Sequence, residues 1–283
     1  MQISITAKAI RVLLSAAAIV AATSGHADAL DRTVVRIASE GAYAPWNATD
    51  PSGNLVGFEI DLGYELCKRM ATQCEFVALD WESLIPALQN GRIDAIMATM
   101  SITAERERAI SFAGPYANEP STFCVPAGSA LTATSFESER VDLSADGQRA
   151  AGTISKLAAS LHGRTVGVQA STTQANFMAA HLPDVAIRAY TSVDQAALDL
   201  AAGRIDAILA ARSTIDTIVR SHGFRVFGPP ITGGPLGRGV GVGLRKSDTD
   251  LRSKFEQAIS SATADGAIAR LSHQHLGFDA SVR

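Results

Sequence analysis

One octapeptide occurs twice in this chain, and the recurrence limits the fold more than any other feature. GRIDAIMA at residues 91–98 returns as GRIDAILA at 203–210, with seven of the eight positions identical. Each copy follows an amphipathic segment of helical period, residues 81–89 in one case and 193–201 in the other. Gly91 and Gly203 therefore stand where a helix C-cap glycine belongs, and IDAIMA and IDAILA have the length and apolar content of buried strands. A second element repeats upstream, because VVRIASE at 34–40 and TVGVQAS at 165–171 are both apolar strands running into a polar turn. The alternation of strand and helix in both halves predicts two α/β lobes, each a mainly parallel sheet flanked by helices. Ligands of open α/β sheets bind beyond the carboxyl ends of the strands. The turns after Ile37, Met97, Val168 and Leu209 are thus expected to meet in one cleft between the lobes.

The amino end stands apart from the repeat. Lys8 and Arg11 precede an uncharged apolar stretch at 12–23, and Ala27 and Ala29 form an A-x-A pair around Asp28. This is the layout of a secretory signal peptide over residues 1–29, with cleavage after Ala27 or Ala29. A dozen apolar residues fall short of the ~20 that span a bilayer, so the expected destination is the periplasm. Setting aside Lys8, Arg11 and Asp28 leaves 23 basic and 27 acidic side chains, a balance that offers no basic patch for nucleic acid. In an exported chain, Cys67 and Cys74, seven apart in LCKRMATQC, are expected to form a disulfide and to leave Cys124 free. No histidine or second Cys pair lies at ligand spacing nearby, so neither a metal nor any other cofactor is expected.

The polar residues at the predicted turns suit a small zwitterion carrying a further cation. Glu40 follows the first strand, with Tyr43 and Trp46 close behind in EGAYAPWN, and Trp81 opens the helix before the first repeat. A carboxylate beside aromatic faces is what a guanidinium or ammonium group requires; Trp46 reads better as a core residue. The turn ATMSITAERER brings Ala98, Thr99 and Ser101 ahead of Arg106, which is either a carboxylate clamp or part of a solvated basic face with Arg108. In QASTTQAN, Gln169, Thr172, Thr173 and Gln174 offer uncharged donors at a helix start, one threonine serving as an N-cap. Catalytic signatures such as G-x-S-x-G, H-E-x-x-H and the P-loop are missing, and the glycines of GRGVGVG alternate as in a tightly packed strand.

AYAPWN, VGFEIDLGYELCKRM, LIPALQNGRIDAIMATMSIT and GVGVGLRKSDTDL resemble the polar amino-acid binding proteins of bacterial ABC importers, from about residue 34 to 278. EGAYAPWN, VFGPPITGG, LGFDAS and the longer segment at 127–162 are most similar to the nopaline and octopine binders. The resemblance implies the type II periplasmic binding protein fold: lobe 1 over 30–118 and 228–283, lobe 2 over 119–227. Two hinge crossovers are then expected, near 116–123 and 224–229. It also implies roles. Glu40 receives the distal cation of the ligand, Tyr43 and Trp81 sandwich it, and Arg106 clamps the α-carboxylate with Thr99, Ser101 and Thr173. Met100 and Ser121 shape the distal end. Compact relatives carry an aspartate for the α-ammonium where this chain has Ala211; an alanine makes room for the carboxyalkyl branch that an opine bears on that nitrogen. Nopaline binders carry a glycine where Ser101 stands, which favours the smaller octopine. The partners implied are a small opine or basic amino acid and an inner-membrane ABC permease, with the chain a monomer. The rivals are a periplasmic dehydratase on the same scaffold, needing a general acid such as Glu40, and the sensor module of a receptor.

Overall fold

The computed structural model describes residues 34–136 and 140–282; the expected signal peptide lies outside them. The chain opens on β1 (Val34–Ser39), which leads into a small antiparallel sheet of β2 (Ala42–Tyr43), β3 (Asn47–Thr49) and β4 (Leu55–Val56). Then come α1 (Phe58–Arg69), β5 (Gln73–Ala78), α2 (Leu84–Gln89), β6 (Ala95–Ile96), α3 (Ala104–Ala109) and β7 (Ser111–Ala117). The second half begins with β8 (Ser121–Val125) and β9 (Val141–Asp142), followed by α4 (Gly147–Leu161) and β10 (Thr165–Gln169). It continues through α5 (Thr173–His181), β11 (Ala186–Tyr190), α6 (Val193–Ala201), β12 (Ala207–Ala211), α7 (Arg212–His222) and β13 (Arg225–Thr232). The chain ends with β14 (Val240–Leu244), α8 (Thr249–Ala264) and α9 (Ala267–Leu276).

Two sheets result, one for each lobe. The first has the order β5-β1-β6-β14-β7 and the second β11-β10-β12-β8-β13-β9. In each, the strands of the repeated unit are parallel: β1 lies between β5 and β6, and β10 between β11 and β12. The strands nearest the crossings add antiparallel neighbours, β14 with β7 in the first sheet and β8 with β12 and β13 in the second. The chain thus leaves the first sheet at Ala117, enters the second at Ser121, and returns between Thr232 and Val240. The return expected at 224–229 falls inside β13, where Arg225, Phe227 and Ile231 pair with β8 across a bulge. Gly228, Pro229 and Pro230 fall within that bulge. Helices α8 and α9 pack back on the first lobe, beside β7 and α1.

The repeat has a structural cause. Asp94 and Asp206 occupy the same place in the two copies, and each carboxylate accepts a backbone N–H from the neighbouring parallel strand, that of Arg36 at 3.0 Å and that of Thr165 at 2.8 Å. Gly91 and Gly203, at φ +71° and +69°, end the preceding helices in the left-handed region. The apolar residues that follow alternate between faces. Ala95 and Met97 join one core with Val35 and Ile37, and Ile96 joins another with Leu84 and Leu88. In the second lobe Ile208 and Ala210 continue the first of these cores, so it passes from one lobe to the other, whereas Ala207 and Leu209 pack with Phe177 and Phe227. Cys67 at the end of α1 is bonded to Cys74 in β5 with Cα atoms 6.2 Å apart, as expected, and Cys124 is a buried thiol.

Candidate functional site

Four parallel strands, β1, β6, β10 and β12, point their carboxyl ends at the junction of the lobes, where a cavity of about 480 Å³ lies. Thirteen positions singled out in the sequence line it. Glu40, Tyr43, Trp81, Ala98, Thr99, Ser101 and Arg106 come from the first lobe, and Ser121, Gln169, Thr172, Thr173, Gln174 and Ala211 from the second. Met100, expected to shape the distal end, does not: it is buried with Leu84, Leu88 and Ile102, on the opposite side of the chain from Thr99 and Ser101.

Arg106 is held on α3, whose N-cap Thr103 accepts the Arg106 N–H at 3.2 Å. Its guanidinium lies 5.1 Å from the centre of the Trp81 ring and donates to the Ser101 carbonyl at 2.9 Å and the Ser171 carbonyl at 3.4 Å. No carboxylate among the described residues pairs with it. Burial lowers its pKa to about 10, which still leaves it charged at neutral pH. A planar cation with unspent donors, stacked on an indole in a closed cleft, is a receptor for a carboxylate.

Glu40 lines the same cavity. Its Oε1 accepts from Gln169 Nε2 at 2.5 Å, a hydrogen bond that links the two lobes, while Gln169 also donates to the Thr191 carbonyl at 3.1 Å. Desolvation by burial outweighs that bond and lifts the carboxyl to about 7, with no basic side chain to offset it. A ligand cation brought here would supply the missing charge. The hydroxyl of Tyr43 is engaged within the protein, because it accepts the Ala211 N–H at 3.0 Å, so the ring presents its face and edge. Trp46 is fully buried against Phe58 at 5.2 Å and donates its indole N–H to Ser213 Oγ at 2.7 Å, a core residue as read from the sequence.

Thr99 is held unusually. It adopts φ +52°, outside the range most residues favour, and the cause lies beneath it: its N–H donates to Glu59 Oε1 at 2.6 Å and its hydroxyl to Oε2 at 3.1 Å. Glu59 is fully buried and also receives Asn47 Nδ2 at 2.8 Å and the Tyr116 hydroxyl. The Thr99 hydroxyl therefore has no proton left for a ligand carboxylate, and the Thr173 hydroxyl donates to Gln174 Oε1 at 3.3 Å, which leaves Ser101 as the hydroxyl donor of the set named for that role. Thr172 is the N-cap of α5, accepting the Ala175 N–H at 3.3 Å. Thr173 and Gln174 follow on the first turn, and Gln174 donates to Ser121 Oγ at 3.0 Å. Sequence reasoning missed Glu119, Leu236 and Val240, which also line the cavity. All three lie on or beside the segments that pass between the lobes, and Glu119 was within reach of the argument as an acidic residue just before β8.

The chain is 39% identical over 236 residues to an octopine-binding periplasmic protein of Rhizobium meliloti, covering 82% of this chain and 80% of that one. It is 33% identical to an L-arginine-binding protein of Pseudomonas aeruginosa, covering 87% and 88%. Among solved structures, a periplasmic His/Glu/Gln/Arg/opine family-binding protein from Silicibacter pomeroyi in complex with lysine superimposes with TM-score 0.70 at 32% identity, over 88% of this chain and 100% of that one. The profile of one family spans residues 35–278, nearly all of the two-lobed body, and on that match the chain belongs to the bacterial extracellular solute-binding proteins, family 3.

Proposed function

We propose that this protein is the periplasmic ligand-binding component of an ABC importer, and that its ligand is an opine of the octopine or nopaline type or a cationic amino acid. One observation carries the reading: an uncompensated guanidinium, Arg106, and an uncompensated buried carboxyl, Glu40, both line one aromatic-walled cleft between the lobes. A zwitterion with a distal cation answers both, its carboxylate at Arg106 and its guanidinium or ammonium at Glu40 between Tyr43 and Trp81. The names of the octopine- and arginine-binding relatives support the same chemistry. Of the two, the lack of a carboxylate at Ala211 favours the opine. Hinge closure would bury the ligand and present a loaded surface to a permease, the chain acting as a monomer.

Calorimetric titration of protein unfolded and refolded to strip carried ligand, against arginine, ornithine, histidine, octopine and nopaline, tests this. Micromolar or tighter binding is expected, octopine strongest. Binding of none of the five overturns it. A second reading is favoured by one feature: Glu40 is raised to about 7 without a cationic partner, as a general acid requires. On that reading the protein is a dehydratase, and turnover of a prephenate-like acid that is lost in Glu40→Gln would establish it.

A further inference from the structure

Glu119 lines the cleft, yet the reading above gives it no task. It lies on the outward crossing, and its position follows from strand register. β8 runs antiparallel to β12 with Ser121 opposite Ala211, and the Arg212 N–H donates to the Pro120 carbonyl at 2.8 Å, so Glu119 comes opposite Ser213. One carboxylate oxygen, Oε1, accepts the Ser213 N–H at 2.7 Å in the first turn of α7. The other, Oε2, is buried and has no hydrogen-bond partner among the described residues. The same residue lines both the main cavity and an adjoining recess of about 230 Å³, and Ser101, Leu236 and Val240 are likewise shared between them.

The charges nearby do not compensate it. Arg212 opposes the shift only weakly, because it turns along α7 to Asp216, at 2.9 and 3.0 Å from its two oxygens, and Asp216 itself acts in the opposite sense. Burial outweighs the hydrogen bonds from the Ser213 N–H and hydroxyl, which act to lower it, and lifts the Glu119 carboxyl to about 8. A buried acceptor left unmade is costly, and a cation with an N–H to give is the group that removes the cost. At the neighbouring position Ala211 offers only a methyl group.

We propose that Glu119 Oε2 accepts an N–H from the cationic α-nitrogen of the bound ligand, an inference that rests on the cleft being the amino-acid or opine site described above. Because the carboxylate reaches in from the crossing segment and not from the end of β12, the space at Ala211 stays open for a branch on that nitrogen. One residue can therefore serve a primary ammonium and the secondary ammonium of an opine.

The test compares wild type, Glu119→Gln and Glu119→Gln/Ala211→Asp by calorimetry with arginine, octopine and Nα-acetylarginine, whose α-nitrogen carries no charge. The substituted amide keeps a carbonyl oxygen for the Ser213 N–H, and an unchanged melting temperature shows the fold intact. Glu119→Gln should weaken arginine and octopine about tenfold to a hundredfold and leave Nα-acetylarginine within about twofold. Restoring a carboxylate at 211 should recover arginine but not octopine, whose branch meets the new charge. Equal loss for all three ligands, or no loss for arginine and octopine, overturns the proposal while the site reading stands. Wild type that binds none of the three overturns both.

Discussion

Arg106 and Glu119 illustrate how single titratable side chains lie in this cleft without an opposite charge beside them. For Arg106 the deficit is a carboxylate, so its removal should weaken the ligand greatly and the fold little, since its own hydrogen bonds are to the carbonyls of Ser101 and Ser171. Truncating one member of a buried charge pair costs ~2–5 kcal/mol, a loss of about thirtyfold to several thousandfold in affinity. Arg106→Ala should show that loss by calorimetry with an unchanged circular dichroism spectrum; unaltered affinity for the best ligand would move the carboxylate elsewhere. Glu40, Thr99, Thr172 and Thr173 were legible in the sequence because they follow strands located by the two repeated elements, whereas the residues alone left Arg106 open and the family resemblance gave it the clamp role. Glu59 was not. It acts by fixing Thr99 from below, through a buried network with Asn47 and Tyr116 that assembles from separate segments, and no local spacing announces such a network.

Among the elements, the repeated strand and helix were readable for a physical reason. A helix C-cap glycine, an aspartate that receives an N–H from the adjacent strand, and an alternating apolar run are all local requirements, so Gly91, Asp94 and Ile96 carry them in sequence as in space. The glycines of GRGVGVG did read as the strand that becomes β14, but the antiparallel pairing was not readable, since β7, β8, β13 and β14 take their partners across long separations and the prolines of β7 and β13 resemble loop. Ala113, Val240 and Leu244 in these strands are buried as deeply as the repeat itself. The bond from Cys67 to Cys74 closes the turn from α1 to β5. A loop this short confines the unfolded chain modestly, by ~2–3 kcal/mol. Cys67→Ser/Cys74→Ser should unfold at lower urea with an unchanged slope by about that amount, and binding should persist because neither residue lines the cavity. An unshifted midpoint would show that the local packing of α1 on β5 already suffices.

On the scale of the molecule, a few residues of the second lobe decide how it meets the first: Gln169 donates to Glu40, the Ser171 carbonyl receives Trp81 and Arg106, the Ala211 N–H donates to Tyr43 and Ser213 receives Trp46. Burial in the joined cleft raises Glu40 to about 7 and Glu119 to about 8, above the ordinary carboxylate value near 4.5. A group whose pKa is higher in the closed form binds more protons there, so closing takes up protons. The contribution to closing is complete below about pH 4 and is lost as pH rises through about 7 to 8. Protein without ligand should therefore be more compact at pH 5.5 than at pH 8.5 by small-angle scattering, and Glu40→Gln/Glu119→Gln should abolish the difference; an equal radius of gyration at both pH values would refute it. The chain has two tryptophans, and both bridge the lobes, Trp46 through Ser213 and Trp81 through Ser171. Intrinsic fluorescence is then a gauge of lobe separation with no label attached. Opening should expose the Trp46 indole to water and shift its emission to the red, and ligand should quench or blue-shift it at a concentration set by affinity alone. Trp46→Phe and Trp81→Phe would separate the two signals, one reporting the hinge and the other the occupant.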